Sequence, residues 1–262
     1  MSLEKEISEL LEVMQIMRDP QKGCAWTRAQ TNESLIRHTI EEAYEVAETI
    51  ESGHLNNLKG ELADLLNQVI FYAQIAKESN HFDFKSIVMH LKQKLIDRHP
   101  DVFAQQKNQS VKFLEDQWES IKKQERKPSK SILDEIAHNL PALSVANKLQ
   151  MRASTVGFDW TNKQEVLAKL KSEVLELEEA FCKENENENE ILEELGDVMF
   201  SCVNLARHMK ADSEQVMRRA NRKFESRFRA LEREFQKQGQ KIEEATSDQL
   251  ELVWEFIKSK EK

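Results

Sequence analysis

The sequence predicts an all-α protein built from two tandem helix-bundle domains. Glycine and proline are scarce, with 6 Gly and 4 Pro among 262 residues, and 32% of the residues are charged. No alternating run of β-branched and aromatic residues is long enough to predict a sheet. Helices are therefore the expected element along the whole chain, and an internal repeat predicts two domains.

Two apolar stripes carry the helix prediction. After Glu61, apolar residues recur at the i, i+3, i+4, i+7 spacing of one helix face, and the same spacing follows Glu194. The residues around Glu42 and Glu173 predict two further helices in which the acids also border an apolar stripe. The stripes consist of Leu62, Leu65, Leu66, Val69, Ala73 and Ala76 in the first half, and of Leu195, Val198, Met199, Cys202 and Ala206 in the second.

Each half of the chain contains one Glu-x-x-Glu followed by one Glu-x-x-Asp. Residues three apart share a helix face, so each pair presents two neighbouring carboxylates. Two carboxylates about 4 Å apart repel by ~1 kcal/mol in water and ~4 kcal/mol at an effective dielectric constant of about 20. Oxygen-only ligation favours Mg²⁺ or Mn²⁺ over Zn²⁺. The candidate metal ligands are Glu42, Glu45, Glu61 and Asp64 in the first half, and Glu173, Glu176, Glu194 and Asp197 in the second.

The repeat extends beyond the acids. Each first motif is preceded by a Trp-Thr pair with a nearby Gln, and each half closes on a Trp-Glu pair. A Lys and an Arg four residues apart lie between these markers. The repeated features are Trp26 and Trp160, Trp118 and Trp254, Lys94 with Arg98, and Lys223 with Arg227. The polar stretch near Pro128 separates the halves, which predicts domains at residues 1–127 and 128–262.

Charge and composition exclude several classes of partner. The net charge of −9, from 38 basic and 47 acidic residues, argues against binding to nucleic acid backbones or anionic membranes. The three cysteines form no Cys-x-x-Cys and predict reduced thiols. No apolar leader and no run of membrane-spanning length occurs, so we expect a soluble cytoplasmic protein.

Several segments together resemble the MazG family of tandem-domain nucleoside triphosphate pyrophosphohydrolases. The principal ones are EEAYEV at 41–46, GELADLL at 60–66 and EELGDVMF at 193–200, with further matches at 19–26, 98–103, 156–160 and 203–208. The resemblance implies the all-α NTP pyrophosphatase fold, shared with dimeric dUTPases and phosphoribosyl-ATP pyrophosphohydrolase. It also implies Mg²⁺ dependence, hydrolysis of nucleoside triphosphates to monophosphate and pyrophosphate, and a homodimer.

The resemblance also implies roles for individual residues. The second-half acids Glu173, Glu176, Glu194 and Asp197 become metal ligands and catalytic residues, with Glu173 or Glu176 available to activate water. Lys223 and Arg227 become catalytic residues that bind the phosphates, because the planar guanidinium of arginine can donate two hydrogen bonds to phosphate oxygens. The implied metal site of the first half comprises Glu41, Glu42, Glu45, Glu61 and Asp64. The implied nucleotide contacts are Lys169, Glu190, Glu193, Lys223, Arg227 and Trp254, the last stacking on a base.

The two copies differ in ways that favour the second for catalysis. Ser172 stands where the double Glu of the family pattern would begin, which leaves one acid fewer there. In favour of the second half, its basic helix contains more Lys and Arg residues. In the first half, Pro100 interrupts the corresponding helix soon after Arg98. We therefore expect catalysis in the second copy and a metal-binding, structural or subsidiary role for the first.

The expected function is hydrolysis of nucleoside triphosphates with broad base specificity, and two alternatives stay open. The chain could be a narrower pyrophosphatase for dUTP, dCTP or an oxidised nucleotide. It could also be a nucleotide-sensing module that keeps the metal site without turnover. No residue pattern in the sequence identifies which base edge is recognised.

Overall fold

A computed structural model describes residues 2–103, 131–134, 136–137, 139–183 and 187–260. Within these ranges the backbone forms helices, turns and loops and contains no strand, which confirms the all-α prediction. The chain divides into two compact units, Met1–Arg126 and Lys127–Lys262, called here the N-terminal unit and the C-terminal unit. The predicted boundary after residue 127 and the Trp118 segment lie outside the described residues and stay predictions.

The N-terminal unit is organised around the pairing of two long helices, α3 (Asn32–Glu51) and α4 (Leu58–Glu78), and α1 (Leu3–Met17) packs against α4. Its core consists of Met14, Leu35, Ile70 and Phe71, contributed by α1, α3 and α4. The helices of this unit are α1 (Leu3–Met17), α2 (Ala25–Ala29), α3 (Asn32–Glu51), α4 (Leu58–Glu78), α5 (Phe84–Arg98) and α6 (Pro100–Phe103).

The C-terminal unit has a corresponding pair of long helices, α8 (Lys163–Phe181) and α9 (Glu188–His208), and a second pair, α10 (Ser213–Lys237) and α11 (Ser247–Ser259). Helix α7 packs against both α9 and α10. One core cluster, Leu231, Phe235 and Ile257, joins α10 to α11. The helices are α7 (Ala142–Ser154), α8 (Lys163–Phe181), α9 (Glu188–His208), α10 (Ser213–Lys237) and α11 (Ser247–Ser259), with a short 3₁₀ helix at Ile242–Glu244.

Side-chain caps fix where the acid-bearing helices begin. The hydroxyl of Thr31 accepts from the backbone N–H of Ser34 at the start of α3, and the Ser34 hydroxyl in turn accepts from the backbone N–H of Thr31. The carboxamide oxygen of Asn162 accepts from the N–H groups of residues 164 and 165 at the start of α8. These caps satisfy helix donors that otherwise have no partner, and so they set the register of the acids farther along.

The apolar stripes of α4 and α9 are only partly covered within the chain. Ala73 and Ala76 are buried, whereas Leu62 and Leu66 of the same stripe are exposed. On α9, Leu195 and Met199 are likewise exposed, together with Cys202. The stripes therefore pack each helix pair together and also leave an apolar surface on each unit.

No helix in the described parts of the chain is both long and apolar enough to cross a membrane. The cytoplasmic location expected from the sequence stays a prediction.

Candidate functional site

Three carboxylates of the C-terminal unit come together where α8 faces α9. Oxygen atoms of Glu173, Glu194 and Asp197 all lie within 4.8 Å of one another. Glu173 is 7% exposed, Glu194 is half-buried and Asp197 is exposed. Two adjacent helices thus place one carboxylate in the interior and two at its rim. The spacing predicted all four acids of this half at one rim, and the metal-binding role of the group stays a prediction.

The electrostatics of this group are unfavourable without a cation. The pKa of Glu194 is raised, first by burial and then by repulsion from nearby carboxylates, of which Glu176 and Asp197 contribute most. A raised carboxyl pKa means that the charged form is disfavoured in the folded protein. A divalent cation placed among these oxygens would relieve that repulsion.

Lys169 neutralises the buried member of the group. Its Nζ atom lies 2.8 Å from Oε1 of Glu173 and 3.5 Å from Oε1 of Glu176, one and two helical turns along α8. The hydrogen bond to Glu173 raises the pKa of Lys169, with further contributions from both carboxylates. Lys169 therefore acts as the internal counter-ion of the site.

Glu176 lies outside the close group of three, although the sequence predicted it as a metal ligand. Its Oε1 atom accepts from the hydroxyl of Ser172 at 2.8 Å. Ser172 is the residue at which the double Glu of the family pattern is missing. At the position where the family pattern has another glutamate, this chain therefore has a hydroxyl that donates a hydrogen bond to Glu176.

A cavity of about 680 Å³ adjoins the carboxylates and lies entirely within the C-terminal unit. Lys169 and Glu173 belong to its wall, and most of the remaining wall is apolar. Its lining also includes Phe158, Trp160, Ser201 and Asn204. The sequence did not predict this cavity, because its wall combines residues from α7, α8, α9 and the loop before α8.

A charged network that includes two residues of the cavity wall, Asp159 and Arg207, was also missed. The carboxylate of Asp159 accepts from Nη1 of Arg207 at 2.9 Å and contacts Nε2 of His208 at 2.9 Å. Burial raises the pKa of Asp159, but the hydrogen bonds from Arg207 and His208 outweigh it and bring the value to about 2. The segments at 156–160 and 203–208 were part of the family resemblance, and that was the available signal for this pairing.

The N-terminal unit has a similar group of acids. Oxygen atoms of Glu42, Glu45 and Glu61 lie within 4.8 Å of one another. The pKa of Glu42 is raised by burial and by the charges of Asp64 and Glu45. Asp64 lies outside the close group of three.

Glu41, the fifth acid expected in the N-terminal site, is also outside the close group. It pairs with Nδ1 of His38 at 3.3 Å. His38 is four residues before Glu42, as Lys169 is before Glu173. The lysine counter-ion of the C-terminal site thus has a histidine in the equivalent position of the N-terminal unit.

Three predicted nucleotide contacts are on α10 and α11, which contribute no carboxylate to the close group of three. Lys223 is exposed and Arg227 is half-buried on α10. Trp254 on α11 is half-buried and its ring centroid lies 5.5 Å from that of Phe224. The α10–α11 core also contacts Trp254. The nucleotide-binding roles of these three residues stay predictions.

Glu190 and Glu193, near the start of α9, were expected to contact the nucleotide. Glu190 is half-buried and forms an ion pair with Lys183, which lies just after the end of α8. Glu193 is exposed. Their nucleotide contacts also stay predictions.

Comparison with known proteins identifies the family. The domain described as "MazG nucleotide pyrophosphohydrolase domain" matches residues 30–103 and 161–231. The nucleoside triphosphate pyrophosphohydrolase of Escherichia coli strain K12 is 40% identical over 258 residues, covering 98% of each chain.

Two further relatives extend the comparison. The "Nucleoside triphosphate pyrophosphohydrolase/pyrophosphatase MazG" of Thermotoga maritima is 42% identical over 251 residues, covering 95% of this chain and 94% of its own. The uncharacterized protein YabN of Bacillus subtilis is 33% identical over 98% of this chain, which matches 52% of YabN. The chain is therefore an enzyme of the MazG nucleotide pyrophosphohydrolase family and carries two copies of the family's domain in tandem.

Proposed function

We propose that the C-terminal unit hydrolyses ribo- and deoxynucleoside triphosphates to the monophosphate and pyrophosphate, and that it accepts all bases. Mg²⁺ is the proposed cofactor, and Mn²⁺ can replace it. The observation that carries the proposal is the convergence of Glu173, Glu194 and Asp197 oxygens within 4.8 Å. The names of the Escherichia coli and Thermotoga maritima relatives support the choice of substrate class.

The donor set of the site fits a hard divalent cation. All three close ligands are carboxylates, which Mg²⁺ and Mn²⁺ prefer to nitrogen or sulfur donors. The pKa of Glu194 is raised by burial and then by repulsion from nearby carboxylates, and the bound cation would relieve that repulsion. Glu173, Glu194 and Asp197 would hold the cation.

Cleavage between the α and β phosphates requires charge neutralisation, an aligned water and a stabilised leaving group. When bound, the cation supplies charge neutralisation and Lewis acidity. Within the chain, Glu176 is suited to orient the attacking water, because Ser172 and Lys169 hold its carboxylate while it stays outside the close group. Glu173 is the other carboxylate that could accept the proton of the water.

Cationic side chains would bind the phosphates. Lys169 belongs both to the carboxylate site and to the wall of the cavity, so its ammonium is available to a triphosphate that enters there. Lys223 and Arg227, on α10, are proposed to hold the β and γ phosphates. Glu190, Glu193 and Trp254 would complete the nucleotide contacts.

The proposal includes a homodimer. Leu195 and Met199 on α9 and Phe224 on α10 are large apolar side chains that are exposed in the single chain. A second copy of the chain would cover such surfaces. Light scattering at micromolar concentration should give twice the 30.6 kDa mass of the chain, and a mass that stays at the monomer value would count against the dimer.

The experiment that tests the function is a panel of ribo- and deoxynucleoside triphosphates with the products resolved by anion exchange. With Mg²⁺ we expect monophosphate and pyrophosphate from every base, and no turnover when EDTA is present. Diphosphate and orthophosphate as primary products would contradict the proposed scissile bond. Turnover of one base alone would indicate a narrow pyrophosphatase, and binding without turnover would indicate a nucleotide sensor.

A further inference from the structure

The close groups of three in the two units differ in one member. In the N-terminal unit Glu45, the second acid of the Glu-x-x-Glu pair, belongs to the group and Asp64 does not. In the C-terminal unit the membership is reversed, so that Asp197 belongs to the group, whereas Glu176, the counterpart of Glu45, does not. The other two members correspond between the units. The same acids are therefore repeated in both halves, but the Glu-x-x-Glu pair is arranged differently.

The residue before each Glu-x-x-Glu pair distinguishes the two halves. It is Glu41 in the N-terminal unit and Ser172 in the C-terminal unit. Each lies four residues, about one helical turn, before the second acid of its pair. The Ser172 hydroxyl donates to Oε1 of Glu176 at 2.8 Å. An ionised carboxylate has no proton to donate, so Glu41 cannot hold Glu45 in this way, and it pairs with His38 instead. In the C-terminal pair the second acid is thus tied back along its own helix.

A second contact holds Glu176 on the same side. Nζ of Lys169 lies 3.5 Å from Oε1 of Glu176, the same oxygen that accepts from Ser172. Lys169 is two helical turns and Ser172 one turn before Glu176, so both contacts direct the carboxylate toward the start of α8. The Glu176 side chain is 45% exposed, so packing does not fix its direction. The two polar contacts therefore decide where its carboxylate points.

We infer that Ser172 is a positioning residue that keeps Glu176 out of the close group of three. This inference rests on the proposed function. Three carboxylates would then hold the cation, and Mg²⁺ bound by few carboxylates keeps positions for water and phosphate oxygens. Glu176 stays beside the group, where it is suited to orient water. A glutamate at position 172 would repel Glu176 toward the close group, which is where Glu45 lies in the half that has Glu41.

Mg²⁺ binding tests the position of Glu176 without relying on turnover. Ser172→Ala removes the hydroxyl, and Ser172→Glu also adds repulsion as in the N-terminal unit. Either change frees Glu176 to become an additional ligand, so calorimetric titration should show a Mg²⁺ affinity higher by about tenfold. The titrations use a Glu42→Ala background, which disrupts the N-terminal acid group as a second site. In Ser172→Thr, which keeps the hydroxyl, the affinity should stay within about threefold of the unchanged Ser172 protein.

Turnover gives the second readout. With Glu176 drawn into the close group, kcat should fall by at least about tenfold in Ser172→Ala and Ser172→Glu, because water is no longer oriented. KM should stay within about threefold, because no proposed nucleotide contact is removed. Ser172→Thr should keep kcat within about threefold of the wild type. A merely structural role for Ser172 would lower stability in the alanine variant and leave Mg²⁺ affinity unchanged.

Two controls make the result specific to Glu176. Gln164→Glu adds a carboxylate at an exposed position near the start of the same helix and should leave Mg²⁺ affinity within about twofold. In the double variant that combines Ser172→Ala with Glu176→Gln, the gain in affinity should disappear, because the added carboxylate is gone. Circular dichroism checks folding, and Ser172→Ala with Ser172→Thr decides the question if Ser172→Glu does not fold.

Unchanged Mg²⁺ affinity in Ser172→Ala, or a gain that persists in the double variant, would overturn the inference. A wild-type protein that binds Mg²⁺ but releases no pyrophosphate from any nucleotide would instead remove the proposed function. In that case the comparison of Mg²⁺ affinities would still decide whether Ser172 keeps Glu176 out of the close group.

Discussion

Lys169 forms a salt bridge of 2.8 Å with Glu173, the buried carboxylate of the candidate metal site, from one turn earlier on the same helix. The Glu173 side chain is 9% exposed, whereas that of Lys169 is 40% exposed. An incoming divalent cation and the ammonium of Lys169 therefore compete for one carboxylate. The same lysine borders the cavity, so it lies between the metal site and the space where a substrate would bind.

Replacing Lys169 by methionine should separate its two effects on the site. Without the ammonium, the unfolding free energy of the metal-free protein should fall by about 1 kcal/mol, because Glu173 loses its partner and the exposed lysine is partly screened. The affinity for Mg²⁺ should rise, because the competing cation is gone. Turnover should fall, because a phosphate ligand is lost. Calorimetric titration with Mg²⁺ and urea unfolding measure the first two effects.

Lys171→Met is the matched control for this change. It removes an ammonium from the exposed surface of the same helix two residues away, and it should alter neither Mg²⁺ affinity nor stability appreciably. Weaker Mg²⁺ binding in Lys169→Met would show that the ammonium does not compete with the cation.

Glu194→Gln should make the metal-free protein more stable while weakening metal binding. The pKa of Glu194 is raised by burial and by its acidic neighbours, so its charged form opposes folding at neutral pH. Removing the charge should raise the unfolding midpoint without Mg²⁺ and reduce the further rise that Mg²⁺ produces in the wild type. Thermal unfolding with Mg²⁺ and with EDTA measures both changes.

The pH dependence of metal binding follows from the same raised pKa. In the wild type, Mg²⁺ affinity should fall as the pH is lowered, and the fall should begin above the ordinary glutamate range, because protons and metal compete for Glu194. Glu178→Gln, an exposed change on α8, is the control and should leave the Mg²⁺ response intact. A thermal unfolding midpoint in EDTA that is lower for Glu194→Gln than for the wild type would show that the charge of Glu194 does not destabilise the metal-free protein.

Asp159→Asn should destabilise the C-terminal unit in a pH-dependent way. The pKa of Asp159 is lowered from 3.8 to about 2, so its charge stabilises the fold above pH 4 and this contribution is lost as the pH falls toward 2. We expect the variant to lose about 2 kcal/mol at pH 7 and roughly half as much at pH 3. Urea unfolding at both pH values checks the difference.

The control for Asp159→Asn is a carboxylate on the surface of the same unit. Glu251→Gln, at an exposed position of α11, should change the unfolding free energy by less than about 0.5 kcal/mol at either pH. An equal loss for Asp159→Asn at pH 7 and pH 3 would mean that charge on Asp159 does not stabilise the Arg207 and His208 contacts.

The sequence predicted those parts of the molecule that depend on local spacing. Helical period alone placed Glu173 beside the helix that carries Glu194 and Asp197, because an acid at the edge of an apolar stripe stays at the rim when the stripe packs. The Lys169 to Glu173 pair was equally readable as an i, i+4 spacing. The family resemblance nevertheless implied only a nucleotide contact for Lys169.

Other parts depend on contacts between distant segments. Asp159 and Arg207 are 48 residues apart, and neither belongs to a motif whose spacing predicts the bond between them. The cavity wall includes Ser201 and Asn204, four and seven residues after Asp197, where the other half has the buried Gln68 and Phe71 at the same distances from Asp64. Leu195 and Met199 were predicted as part of a packing stripe, but both side chains are exposed in the structure.

Substitutions in the two acid groups should identify the working copy. Glu173→Ala or Asp197→Ala should lower turnover by at least about a hundredfold, because losing a ligand misplaces the charge that stabilises the transition state. Lys223→Ala should cost about 3 kcal/mol or less, a factor on the order of 10² in rate. Glu42→Ala and Asp64→Ala should retain most of the activity and can lower stability.

The C-terminal and N-terminal acid groups should differ in catalysis because their surroundings differ. The C-terminal acids have a lysine counter-ion and an open cavity beside them. In the N-terminal unit, His38 replaces that lysine and buried Phe71 stands at the position of Asn204. Turnover of the four acid variants, with folding checked by circular dichroism, tests the assignment. Activity retained in Asp197→Ala and lost in Asp64→Ala would reverse it, and equal partial losses would mean that both copies catalyse.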